Sequence, residues 1–198
     1  SGFSVNNQAI FNSGSSDTEL YIRFGDLIYS NNSGYGYLNN FLQVKTMGGQ
    51  FDTGDPNTSG LEANVWYHFA VTYDAASGTS TLYKNGTAIA TLSSAAGNPM
   101  KIDRLQMISS GSQYFQDACE LCQVRLWNVT RTANQIKKNM YKEVNYTDKN
   151  LVLYLPMNEG EGNTTLKDVT GNGHDVEVGN MSNGGSSSFT WSTYSFAQ

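Results

Sequence analysis

Along residues 65–74 the positions Val65, Tyr67, Phe69, Val71 and Tyr73 alternate with Trp66, His68, Ala70, Thr72 and Asp74. A period of two predicts a strand that turns its odd, apolar stripe toward a core. Burying such a stripe contributes about 1.5–3 kcal/mol per large side chain, and a slip of one residue would forfeit it, so the pattern also fixes register. The next stretch, "STLYKNGTAIATL", reads as a hairpin. Its Asn85-Gly86 pair supplies the two positive-φ residues that a type I′ turn requires. Further strands are expected at "ELYIRFGD" (19–26), "FLQVKT" (41–46), "RLQMIS" (104–109), "CELCQVRLW" (119–127), "LVLYLPM" (151–157), "HDVEV" (174–178) and "FTWSTYSF" (189–196).

One segment changes period. "TANQIKKNMYKEV" opens with Thr132 as N-cap and Gln135 three residues on, a capping box, and spaces Ile136 and Met140 four apart. It predicts a short helix laid on an end of the strands by those two residues. Many short strands punctuated by Gly, Asn and Ser turns predict an all-β, antiparallel sandwich or barrel. "GNMSNGGSSS" (179–188) has linker composition, yet the strand pattern resumes after it, so residues 1–198 are read as a single domain.

Composition narrows the function classes. A net charge of -5 opposes nucleic-acid binding, which draws on Lys and Arg to neutralise phosphates. "LVLYLPM" is the longest apolar run and falls far short of the roughly 20 residues that span a bilayer. No signal-peptide pattern opens the chain, which reads as a soluble piece with its leader removed.

Cys119 and Cys122 form a C-x-x-C. In a strand, residues three apart lie on opposite faces about 10 Å apart, beyond the ~7 Å Cα limit of a disulfide. No second cysteine pair completes a zinc site, so packed or half-buried thiols are the preferred reading.

Four segments in order, "LYIRFGD" with "LQVKT", "WYHFAVTYD" running through the hairpin to "LYKNGT", "QVRLWNVTRTANQI", and "LVLYLPMNEGEGNTTLKDVTGNGHD", resemble the laminin-G-like domains of the concanavalin A-like lectin/glucanase superfamily, especially those of bacterial surface lipoproteins. The resemblance implies an all-β, two-sheet antiparallel jelly-roll sandwich with one short helix, used in the wider family to bind glycans or proteins. It also implies an extracellular or cell-surface location, tethered through an upstream segment. In relatives an acidic pair before "VRLW" commonly helps hold a structural calcium; here Cys122 and Gln123 stand at those positions.

Chemistry is weakly signalled. Glucanases of the superfamily place carboxylates as Glu-x-Asp-x-Glu, and retaining hydrolysis needs them about 5–5.5 Å apart. No Glu is followed two residues later by Asp, and the nearest approach is Asp175 with Glu177 on a short strand, read as a solvated edge. His68 and Asp74 share a face but lie about 20 Å apart along the strand, so they are not catalytic partners.

Oxygen-rich turns admit calcium: Asp168, Asn172 and Asp175 in "DVTGNGHD", and less so Asp52, Asp55 and Asn57. Asp, Asn and Gly also build turns unaided, and that reading is preferred. For binding, Tyr35, Tyr37 and Asn39 occupy the polar stretch "SNNSGYGYLNN", read as a loop whose rings stack on sugar faces while Asn bonds hydroxyls. Trp66, His68, Tyr114 and Trp191 are weaker candidates. The first expectation is therefore a non-catalytic carbohydrate-binding module, its partner a glycan or a surface protein, with neither nucleic acid nor membrane insertion. A protein-binding adhesion or spacer domain is the second, and a motif-free glycoside hydrolase the third. Seven N-x-S/T sequons are left unread, since an Asn-, Ser- and Thr-rich chain produces them by chance.

Overall fold

The computed structural model describes the backbone of residues 8–13, 20–31, 34–53, 61–62, 65–100, 102, 105–107, 109–110, 113–114, 120–178 and 191, and within these the side chains of 20–22, 42–53, 61–62, 65–100, 102, 120–178 and 191. The chain resolves into two compact units, Ser1–Ala118 with Thr132–Met140, and Cys119–Arg131 with Tyr141–Gln198.

The first unit is built on two antiparallel sheets. One has the order β4-β3-β2-β1-β8, from β1 (Gln8–Ser13), β2 (Leu20–Asn31), β3 (Gly34–Thr46), β4 (Gly49–Asp52) and β8 (Leu105–Met107). The other has the order β5-β6-β7, from β5 (Phe69–Asp74), β6 (Thr79–Lys84) and β7 (Thr87–Ser93). β9 (Ser109–Ser110) and β10 (Gln113–Tyr114) form a small ladder beside them.

Leu42, Val44 and Leu82 are fully buried where the sheets meet, with Ile22, Phe51, Phe69, Val71 and Ile89 packed around them. Thr46 and Ser80 join the two sheets through a buried hydroxyl pair. Polar groups buried this deeply must satisfy each other, so the bond also locks the relative register of β3 and β6.

The expected hairpin is present, with Asn85 at φ 49° and Gly86 at φ 75° closing β6 onto β7. The helix α1 runs Ala133–Asn139. Its capping box is complete: Gln135 N donates to Thr132 Oγ1 at 3.2 Å, and Thr132 N donates to Gln135 Oε1 at 2.9 Å. Ile136 is buried, and Lys137 lies over the Gly86 turn.

Three expectations need correction. The strand expected over 65–74 begins only at Phe69; Val65 is 48% exposed, and residues 65–68 form no ladder. Their bonds include Glu62 N to the Tyr67 hydroxyl, His68 N to Asn85 Oδ1 and Asn85 N to the His68 carbonyl. The stretch "GYGYLNN" is strand rather than loop, because β2 and β3 stay paired out to Asn31 opposite Gly34. The strand expected from Cys119 to Trp127 is confined to β11 (Val124–Trp127), because Gln123 takes φ 58° and breaks the extended run. "FTWSTYSF" lies outside the described residues except for Trp191.

The second unit pairs β11 with β12 (Leu151–Leu155), and β13 (Thr165–Leu166) with β14 (Val176–Glu177). Its core is Val144, Leu151 and Tyr154 with Trp127 against them.

Candidate functional site

The expected binding residues fall on β3, on β10 and on the approach to β5, all in the first unit. Tyr35, Tyr37 and Asn39 belong to β3, the first two opposite Ser30 and Ile28. Between the pairs Gly25↔Phe41 and Leu27↔Leu38, β3 spends three steps where β2 spends two, so a bulge falls at positions 39–40. A bulge switches the alternation. Positions 35 and 37 therefore share one sheet face with each other and with Leu42 and Val44. The side chains of 35–41, and that of Tyr114 in β10, lie outside the described residues.

Trp66 and His68 lie together on the approach to β5, both half-buried. His68 and Asn85 exchange two bonds of 2.8 Å, His68 N to Asn85 Oδ1 and Asn85 N to the His68 carbonyl. The histidine thus anchors the hairpin turn through its backbone. Asp74, at the far end of β5, accepts from Ala76 N at 3.0 Å and starts the next turn.

The expected cation ligands, Asp168, Asn172 and Asp175, share one hydrogen-bonded loop. Asp168 is buried, its side chain fully so. Its Oδ1 accepts from Tyr154 N at 3.2 Å, Thr170 N at 3.1 Å and Thr170 Oγ1 at 2.7 Å. Its Oδ2 accepts from His174 N at 3.3 Å and faces the His174 ring Nδ1 at 3.2 Å. Burial alone would raise this carboxyl's pKa, but the bonds from Thr170, Tyr154 and His174 outweigh it and hold the group below its ordinary value.

Asp175 accepts from Asp168 N at 2.9 Å and from Lys167 Nζ at 2.6 Å. The lysine bond keeps the Asp175 carboxyl low and the Lys167 ammonium high. Asn172 Nδ2 donates to the carbonyls of Val152 at 2.9 Å and Leu151 at 3.3 Å.

This donor set fits a hydrogen-bonded turn, not a calcium cage. A carboxylate offers about four lone-pair sites, and those of Asp168 already meet as many protein donors. Asn172 turns its N–H groups, not its oxygen, to the backbone. At the position where the resemblance implied an acidic calcium ligand, Gln123 Oε1 accepts from Arg125 Nη2 at 2.6 Å and from the Tyr154 hydroxyl at 2.5 Å, so this neutral oxygen is engaged by protein donors. Among the described residues no group of three or more His, Cys, Asp or Glu side chains is placed to hold a metal ion.

Neighbouring Cys122 is a half-buried free thiol, and burial pushes its pKa up to about 11, so it is protonated at neutral pH. Of the expected carboxylate pair, Asp175 is spent on Lys167, and Glu177 accepts from the Thr165 hydroxyl at 2.9 Å. Thr170, His174 and Tyr154 were not anticipated as partners of Asp168. The Asp168-x-Thr170 spacing was the available signal, since such pairs close turns by side-chain to backbone bonds.

No curated protein matches the chain. The structure is similar to that of a candidate carbohydrate binding protein from Bacteroides ovatus ATCC 8483, with a TM-score of 0.63 and 24% identity over 86% of this chain. This chain spans only 47% of that protein's length. An S-layer domain-containing protein (residues 221–444) from Clostridium thermocellum ATCC 27405 aligns at 20% identity over 70% of this chain and 67% of its own, with a TM-score of 0.29, too low to bear on the fold. Among the described residues no helix is long and apolar enough to cross a membrane. The laminin-G-type family model of the superfamily matches residues 2–137, which covers both sheets of the first unit and most of α1; with the two antiparallel sheets it places this chain in the concanavalin A-like lectin/glucanases superfamily.

Proposed function

We propose that residues 1–198 act as one non-catalytic carbohydrate-binding module of an extracellular or cell-surface protein. The observation that carries this reading is the β2–β3 hairpin. It places positions 35 and 37 on one face of one strand, about 7 Å apart along it, a spacing that suits two aromatic rings stacking on successive faces of a saccharide. Membership of a superfamily of lectins and glucanases supports the same class of ligand. A net charge of -5 favours a neutral glycan over an anionic polymer.

Binding rather than hydrolysis is supported by the engagement of Asp175 and Glu177 with Lys167 and Thr165, which ties both carboxylates to structural partners. Screening the chain against a glycan array, with calcium and again with chelator, is the test. Binding to one glycan class at equal strength in both conditions is expected, because the Asp168 loop is complete without a cation. Silence across the array would favour a protein-binding adhesion domain. Polysaccharide turnover that vanishes in Asp175→Asn or Glu177→Gln would establish a hydrolase instead.

A further inference from the structure

We propose that Asn172 is a site of spontaneous modification, deamidating through Gly173 ahead of the other Asn-Gly pair among the described residues, Asn85-Gly86. The step needs only water. The deprotonated Gly173 amide nitrogen attacks Asn172 Cγ, the N–Cγ bond forms, the Cγ–Nδ2 bond breaks and ammonia leaves. Water then opens the cyclic imide at either carbonyl, giving aspartate or isoaspartate. Ring closure requires solvent at the glycine nitrogen and room for a planar five-membered ring.

The two pairs differ in both respects. Asn172 and Gly173 are exposed, and a Cβ built on Gly173 meets nothing within 4 Å. Gly86 is buried, and a Cβ there would come within 2.9 Å of Lys137 Cβ. Asn85 is also clamped at both ends of its turn, since its Oδ1 accepts from His68 N and its own N–H donates to the His68 carbonyl, each at 2.8 Å. Asn172 is held by its carboxamide, through bonds of 2.9 and 3.3 Å to the carbonyls of Val152 and Leu151, and its own N–H donates to Thr170 Oγ1 at 3.2 Å, so the two pairs are separated by exposure and room rather than by the number of bonds.

The product has a structural consequence. A carboxylate at 172 replaces two N–H donors with negative oxygen facing two carbonyl oxygens, which loosens the turn that Asp168 organises.

Ageing the purified full chain in mildly alkaline buffer, followed by peptide mass mapping, tests the proposal. The peptide holding Asn172 should gain the NH-to-O mass difference about tenfold faster than the one holding Asn85, a ratio equivalent to about 1.4 kcal/mol in barrier height. Asn172→Asp should lower the thermal midpoint, and Asn172→Gln should abolish the mass gain in that peptide. An Asn85 peptide that keeps pace, or an Asn172→Asp chain as stable as the parent, would overturn it.

Discussion

Asp168 shows how one buried carboxylate organises a whole loop. Its oxygens gather Tyr154 of β12 together with Thr170 and His174 of the following turn. Removing it strands the buried Tyr154 N–H, at a cost of about 1–3 kcal/mol, together with the part-buried donors of Thr170 and His174. Its folded pKa lies below the unfolded value. The unfolded chain therefore takes up the proton first as the solution is acidified, and stability present above the ordinary carboxylate pKa is lost as pH falls through the folded value. Urea midpoints measured from neutral to acid pH, followed by tryptophan fluorescence, should fall through that window in the parent chain. In Asp168→Asn they should start lower and fall less steeply. Parallel curves would show that the Asp168 charge does not stabilise the fold. A turn at Asp168 was legible from the Asp, Asn and Gly around it, but its partners were not, because they include Tyr154, 14 positions away, and side-chain spacing does not encode that convergence.

At the scale of elements, legibility tracked how local the cause was. The Asn85-Gly86 turn and the Thr132–Gln135 capping box are set by adjacent residues, and both appear as expected. Gly86→Ala should cost about 1–3 kcal/mol, since a Cβ at φ +75° is strained and also meets Lys137. Thr132→Ala should cost about 1 kcal/mol, the ordinary loss of an N-cap. Thermal midpoints of the two variants check both, and a Gly86→Ala chain as stable as the parent would refute the turn assignment. The failures were long-range. "GYGYLNN" has the composition of a loop, yet pairing with β2 draws it into β3, and cross-strand bonding overrides weak local propensity. The bulge at 39–40 reverses which face each residue occupies, and a single strand's alternation gives no sign of it. Val65 failed for the opposite reason: the alternation runs past the point where β6 stops supplying partners, since Phe69 is already opposite Lys84.

For the molecule as a whole, the sandwich core of Leu42, Val44 and Leu82 supplies the platform from which the β2–β3 hairpin extends, and recognition by that hairpin is our proposal. Positions 35 and 37 share a face with the core residues, so packing and binding roles must be separated in one experiment. Calorimetric titration of an array-selected glycan into the parent chain and into a Tyr35→Ala/Tyr37→Ala variant, with the thermal midpoint of each recorded alongside, does so. Binding weakened at least tenfold at an unchanged midpoint, equivalent to about 1.4 kcal/mol, is the expected result. Undiminished affinity, or a midpoint that collapses with the substitutions, would contradict recognition by this hairpin.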